Sequence, residues 1–274
     1  MPELPEVEVV RRSLLPRIVG SRFGSVRVRE ARLRVRVDRS LLCRELPGRT
    51  VLDVRRRAKY LLLELDTGGL LMVHLGMTGH LGLFPATEPL RKHDHVVITV
   101  EGRGELRFND ARRFGLVQWV APGGERSHPR LCRLGVEPLA PDFSGTLLRR
   151  LASGHRLPVK NFLMDSRRVV GIGNIYASEA LWNAGVHPAR PAGRLSAARW
   201  ERLATAIRQV LSASIQQGGT TFRDFASADG SPGYFALHLD VYDRKGERCR
   251  RCDRTIRRRV DSGRSTYYCP GCQH

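Results

Sequence analysis

Apolar and polar positions change period three times along the 274-residue chain. The first pattern is helical. In PEVEVVRRSLLPRI, residues 5–18, Val7, Val10, Leu14 and Ile18 recur at helical spacing, and Pro16 and Gly20 close the run. Short alternating or apolar strands are predicted next over 22–29, 50–56, 60–66, 69–75, 95–100, 105–109 and 115–120. Turn signals such as Thr67-Gly68-Gly69 and Gly102-Arg103-Gly104 separate them. A series of strands this short predicts an antiparallel sandwich or barrel. Between about 130 and 143 the pattern lapses into a stretch with Pro129, Gly135, Pro138 and Pro141, which reads as a linker. Beyond it the period is helical again. Ser196 reads as an N-cap, and Trp200, Leu203, Ile207, Val210, Leu211 and Ile215 form one apolar stripe ended by Gly218-Gly219. Trp200 in that stripe belongs to a core.

Charge narrows the class of partner. The chain carries 47 Lys+Arg against 27 Asp+Glu, a formal net charge of +20, with 41% hydrophobic residues. That hydrophobic share is enough to build cores, so disorder is not expected. The excess charge repels itself in a compact state, and a polyanion relieves the repulsion. Nucleic acid is the leading candidate, because its phosphates release counterions when Lys and Arg neutralise them. No stretch approaches the 18 or more apolar residues of a membrane span. MPELPEVEVV has neither the basic nor the apolar region of a secretory signal, so a cytoplasmic protein with reduced thiols is expected.

In that compartment clustered cysteines point to metal. Cys249, Cys252, Cys269 and Cys272 form a C-x2-C-x16-C-x2-C pattern, the spacing of a four-thiolate zinc site. Four ligands close a tetrahedron, so one Zn2+ held here is structural and activates no water. A redox CxxC pair is the alternative, and two pairs at this spacing favour zinc. The arginines between the corners, Arg264 among them, fall on an expected β-hairpin whose folding energy the metal supplies. Cys43 and Cys132 lie outside the pattern and read as buried small hydrophobes.

The N-terminus holds candidate chemistry. Removal of Met1 makes Pro2 a secondary amine, and an α-amino group of pKa about 7.7–8 is far more often neutral at pH 7 than lysine. Glu3 and Glu6 stand beside it. Read alone, Pro and Glu are also ordinary helix-start residues.

Further motifs change that weighting: RRAKYLLLEL with Lys59, HLGMTG with Met77, KHDH with His93, NDARRFG with Arg112 and Phe114, then VVGIGNIYASEAL, QQGGTTFRDF, GSPGYF and VYDRKGERC. Together with MPELPEVE and the terminal cysteines, they make the chain resemble, nearly end to end, the formamidopyrimidine-DNA glycosylases of base excision repair. The resemblance implies removal of oxidised purines, 8-oxoguanine and formamidopyrimidines, followed by β,δ-elimination at the abasic site. Pro2 matches the nucleophile that attacks C1′ and forms a Schiff base, and Glu3 the acid that assists sugar opening. Lys59 matches the lysine of β-elimination and Arg264 the arginine of δ-elimination. Met77, Arg112 and Phe114 match residues that fill the space left by a flipped base; Phe114 wedges the duplex and Arg112 bonds the orphaned cytosine. Asn174, at a helix start after Gly171-Ile172-Gly173, matches a phosphate contact. His74, His93, Arg156, Lys160 and Tyr242 match further DNA-facing positions, and residues 220–234 a loop that covers the flipped purine. Ala111, where the family often has Pro, and Thr78 depart from the pattern; either could alter the wedge.

The expected architecture is α+β in two domains. An N-terminal antiparallel β-sandwich with an N-terminal helix spans 1–131, a linker 132–139, a helix–two-turn–helix domain 140–239, and a β-hairpin zinc finger 240–274. The implied partner is double-stranded DNA with an oxidised base, bound by a monomer. Pro2 and Arg264, from opposite ends of the chain, must then meet at one sugar. Two rivals remain. The endonuclease VIII branch prefers oxidised pyrimidines but usually begins MPEGPE, where Leu4 gives MPELPE here. A non-catalytic zinc-finger damage binder does not need the Pro2, Glu3, Lys59 and Arg264 set.

Overall fold

A computed structural model describes residues 2–219 and 239–274. The expected covering loop, about 220–234, lies outside the described residues. The described chain divides into two compact units, 2–132 with 217–219, and 133–216 with 239–274.

The first unit begins with helix α1, Leu4–Ile18. Val7, Val10, Leu14 and Ile18 are fully buried, as their spacing predicts. Glu6, at the third helical position, accepts the Glu3 N–H at 2.8 Å and satisfies a donor that the helix itself cannot. Pro16 does not end the helix, contrary to the sequence expectation. It lies in the exposed last turn, where the lost bond to the Arg12 carbonyl can be replaced by water.

Eight strands follow: β1 Phe23–Val28, β2 Val51–Arg57, β3 Tyr60–Leu65, β4 Leu70–His74, β5 Gly79–Phe84, β6 Asp94–Val100, β7 Gly104–Asp110 and β8 Leu116–Val120. They form two antiparallel four-stranded sheets, ordered β1-β6-β7-β5 and β2-β3-β4-β8. Residues of both sheets and of α1 share one buried cluster that includes Phe23, Val54, Leu63, Leu71, Ile98 and Phe108. Two elements escaped the sequence pattern. Strand β5, GHLGLF, carries two glycines that weaken its strand signal, and pairing with β7 along its whole length forms it anyway. Helix α2, Arg39–Glu45, is only 7 residues long and buries only Leu42, so periodicity had too little to act on; Asp38 caps it by accepting the Leu41 N–H at 2.9 Å.

The second unit contains α3 Gly145–Ala152, α4 Val159–Met164, α5 Asn174–Asn183, α6 Ala197–Gln216 and the hairpin β9 Arg257–Asp261 with β10 Arg264–Tyr268. The α6 stripe is buried, with Trp200 at 0% exposure against Phe162. The expected linker is not loose along its length: Gly135 N–H donates to Ser166 O at 2.9 Å, Val136 N–H to Arg168 O at 2.9 Å, and Val170 N–H to Val136 O at 3.0 Å. Cys43 and Cys132 are exposed, not buried as their hydrophobic character suggested; the Cys43 thiol donates to the Val26 carbonyl at 3.4 Å. Among the described residues, no helix is long and apolar enough to cross a membrane.

Leu63 pairs with Val54 and Leu71 across β2-β3-β4 and is fully buried. Leu63→Ala should destabilise the first unit by about 2–5 kcal/mol, read as a lower denaturation midpoint at unchanged m-value.

Candidate functional site

Pro2 and Glu3 lie buried at the start of α1. One turn on, Glu8 accepts from Arg11 at 2.8 Å, Arg12 at 3.0 Å and Arg56 of β2 at 3.2 Å. Burial raises the Glu8 pKa, but bonds from Arg11 and Arg12 and the charge of Arg56 outweigh it and hold the carboxyl below its usual range. Arg56 also donates to the Ala58 carbonyl at 3.0 Å, inside the β2–β3 turn. That turn carries the half-buried Lys59. The Arg56 guanidinium thus ties α1 to the turn that carries Lys59.

Met77 sits in the turn between β4 and β5, and Arg112 and Phe114 in the loop between β7 and β8. The two loops meet backbone to backbone at Gly76. Its φ of +66° is left-handed, and a Cβ there would lie 2.4 Å from the Phe114 carbonyl carbon, so only glycine fits. Phe114 is 44% exposed, large and apolar, and the Arg112 guanidinium lies 4.9 Å over its ring. Apolar side chains of this kind are the ones that proteins insert between base steps.

His74 ends β4. Its Nδ1 accepts the Gly76 N–H at 2.9 Å, so the neutral ring carries its proton on Nε2. Burial, then the charges of Lys59, Arg34 and Arg130, push its pKa down to about 3. His74 is therefore a neutral donor, not a cation. The half-buried His93 stacks edge-on at 5.9 Å with His95.

In the second unit, Arg264 opens β10 beside a two-residue turn in which Ser262 and Gly263 both have positive φ, 48° and 74°. Asn161 donates to Ser262 Oγ at 2.9 Å and pins the tip to α4. Lys160 and Asn174, expected at DNA-facing positions, are bonded to each other and to β10. Lys160 is 1% exposed, and its Nζ donates to Asn174 Oδ1 at 2.5 Å, Thr266 Oγ1 at 2.7 Å and Ser265 O at 3.1 Å. Asn174 in turn donates to Ser265 O at 2.9 Å. A buried ammonium keeps its charge only where acceptors surround it, and here they bind α4, α5 and β10 together. Arg156 is exposed between α3 and α4. Tyr242 is half-buried against Tyr267, with ring centroids 5.2 Å apart.

The cysteine sulfurs lie within 4.8 Å of one another, with Cys249–Cys272 at 3.8 Å and Cys252–Cys269 at 3.3 Å. Disulfide bonding needs about 2.05 Å, whereas Zn–S bonds of about 2.3 Å in a tetrahedron set the sulfurs roughly 3.8 Å apart. The donor set fits zinc. Burial, then the neighbouring sulfurs, push the Cys269 and Cys272 thiols up, while Cys249, despite burial, is held at about 6 by the Arg251 and Cys252 N–H groups. Four thiolates cannot crowd together without a cation, and Zn2+ supplies it. The accompanying core is small: Trp182, Val241, Ile256 and Tyr267.

Two organising residues gave no sequence signal. Glu179, 2% exposed, accepts the N–H groups of Asp240, Val241 and Tyr242 at 2.8–3.0 Å, and burial raises its pKa despite them. Asp110, fully buried, bonds both loops of the proposed wedge. Glu179 reaches residues 61–63 positions away and Asp110 reaches Thr78, 32 away, as well as the nearby Gly115, and only the DAR of NDARRFG and the SEA of IYASEAL marked their neighbourhoods.

Cys249→Ser should release zinc, measured as a fall from one metal per chain by elemental analysis, and melt the hairpin, which has too small a core to stand without it. For His74, a folded pKa near 3 against about 6.5 unfolded means its contribution to stability is full above pH 6.5 and declines as pH falls toward 3. Imidazole NMR shifts of His74 should stay flat from pH 8 to 5; a titration near 6.5 would contradict the buried neutral ring.

Comparison with known proteins places the chain in a family. Residues 1–117 match the formamidopyrimidine-DNA glycosylase N-terminal domain, 134–226 its H2TH domain, and 246–274 a zinc finger found in FPG and IleRS. The formamidopyrimidine-DNA glycosylase of Methylococcus capsulatus is 55% identical over 273 residues, covering 100% of both chains. That of Xanthomonas euvesicatoria pv. vesicatoria is 49% identical at the same coverage. The crystal structure of the MutM (Fpg) protein from Thermus thermophilus superposes at a TM-score of 0.88 with 40% identity, covering 99% of this chain and 98% of that one. The Lactococcus lactis Fpg bound to DNA containing an abasic site does so at 0.90 with 34% identity and 99% of each chain. This chain belongs to the formamidopyrimidine-DNA glycosylase family.

Proposed function

We propose that this chain, a base-excision-repair glycosylase for oxidised purines and, like its family, an abasic-site lyase, performs both steps through the Pro2 amine. The observation that carries the reading is the fixed N-terminus of α1, where Glu6 holds the Glu3 backbone and Arg56 links the helix to the Lys59 turn. With Met1 removed, the neutral Pro2 nitrogen attacks C1′ of the lesion sugar, and the base departs as the C1′–N bond breaks. Glu3 donates the proton that opens the sugar ring, leaving a Schiff base between Pro2 and C1′. The iminium acidifies the C2′ proton; its removal expels the 3′ phosphate, with Lys59 assisting β-elimination, and Arg264 assists loss of the 5′ phosphate in δ-elimination.

Met77, Arg112 and Phe114 occupy the place of the flipped nucleotide, Arg112 bonding the opposite base. His74, as a neutral Nε2–H donor, and His93, Arg156 and Tyr242 contact the DNA backbone. Lys160 and Asn174 contribute by fixing the hairpin that carries Arg264, and the start of α5 presents backbone N–H groups and its dipole to a phosphate. Bound zinc supplies only rigidity to that hairpin; Cys249, Cys252, Cys269 and Cys272 hold it. The relatives named above are bacterial proteins, and a DNA substrate puts the activity in the cytoplasm. The Lactococcus lactis enzyme has also been solved with DNA containing an oxidised pyrimidine. A lesion panel with defined opposite bases therefore measures purine preference directly.

Pro2→Gly should cut base release and borohydride trapping on 8-oxoguanine duplex by at least ~100-fold, because the secondary amine is the sole proposed covalent link. Wild-type trapping in that variant would sink the nucleophile assignment.

A further inference from the structure

Thr78 and Asp110 join the two loops that carry Met77, Arg112 and Phe114. Asp110 ends β7 directly opposite Gly79, which opens β5, so the residue before Gly79 reaches the Asp110 side chain. Asp110 is 0% exposed and accepts at both carboxylate oxygens. Its Oδ1 takes the Thr78 hydroxyl proton at 2.5 Å, and its Oδ2 takes the Gly115 N–H at 2.7 Å. Thr78 Oγ1 then accepts the Arg112 N–H at 3.1 Å. The Asp110 carbonyl accepts from His95 Nε2 at 2.7 Å and from the Arg113 N–H at 3.3 Å.

One buried carboxylate thus grips the 111–115 loop at both ends, directly at Gly115 and through a single hydroxyl at Arg112. The loops cannot part without leaving that carboxylate short of donors in the interior. Arg112 and Phe114 meanwhile keep their side chains at the surface, stacked on each other. Backbone held and side chains displayed is the arrangement of an insert ordered before it meets DNA, so less conformational entropy is lost on binding.

We propose that Thr78 and Asp110 are positioning residues that hold Met77, Arg112 and Phe114 as one preformed insert, and that the Thr78 hydroxyl thereby sets discrimination of the base opposite the lesion. This rests on the reading of those three side chains as the residues that fill the vacated space. A guanidinium discriminates bases by the direction of its hydrogen bonds. Slack in the Arg112 backbone blurs that direction, and affinity for the correct and incorrect opposite base converges.

The test uses the full-length zinc-loaded protein and duplexes with a tetrahydrofuran abasic analogue opposite C or A, with 2-aminopurine beside it to report unstacking. Thr78→Val keeps the shape and removes the hydroxyl; Thr78→Ser keeps the hydroxyl. Thr78→Val should lower the C-over-A affinity ratio by about fivefold or more and reduce the 2-aminopurine signal, with a melting temperature lowered by about 10 °C at most, so that the protein stays folded in the assay. Thr78→Ser should restore both. A wild-type ratio in Thr78→Val, or equal loss in Val and Ser variants, overturns the proposal. Should Thr78→Val fold poorly, Thr78→Ala carries the same measurement. Phe114→Ala separates the two levels. Loss of the 2-aminopurine signal there with no effect in Thr78→Val removes the clamp alone, whereas no effect in Phe114→Ala removes the wedge reading beneath it.

Discussion

Turns leave backbone N–H and C=O groups that no strand or helix satisfies, and a buried one must find a partner. In this protein buried charged side chains are those partners beside several of the candidate functional residues. Glu6 takes the Glu3 N–H beside Pro2. Asp110 takes the Gly115 N–H beside Phe114, and Glu179 takes three successive N–H groups up to Tyr242. Lys160 does the converse, donating to the Ser265 carbonyl one residue from Arg264. A buried charge tolerates little displacement of its partners, because each lost bond leaves it poorly solvated. The turns are held by an energy that a surface hydrogen bond could not supply.

The same logic divides the positive charge into two populations. Some cations are consumed internally: Arg56 on Glu8, Arg107 on Glu105, and Lys160 on Asn174 and Thr266. Others stay exposed, among them Arg112, Arg156, Arg257, Arg258 and Arg264. Only the second group can release counterions from a phosphate backbone, so it, and not the total of +20, bears on affinity for DNA. Zinc belongs to this account as well. The hairpin is mostly arginine on its exposed strand β9, with a small core beneath, and four thiolates around one dication replace the missing apolar surface.

Much of this was legible in the order of residues. The apolar spacing of α1 and α6, most of the strands and the two CxxC corners are local patterns, and local patterns survive without knowledge of what packs against them. The long motifs carried the family and hence the candidate site residues. What failed was also physical. Strand β5 holds two glycines and is formed by its partner β7, and Pro16 reads as a stop although an exposed last turn tolerates it. Cys43 and Cys132 have the character of interior residues, but their elements do not turn them toward an interior.

By itself, then, the amino-acid order determined most of the element types and the metal ligands, because each depends on residue type and short spacing, while Pro2, Glu3, Lys59 and Arg264 became candidates only through the family resemblance that the long motifs carry. Tertiary structure alone decided which polar side chains act through others. Lys160 and Asn174 match DNA-facing positions in sequence and in the fold are bonded to β10, and Asp110 at the end of β7 is fully buried between the two loops it joins. Burial is set by segments tens of residues away, and it is burial that turns a charge from a binding group into a clamp.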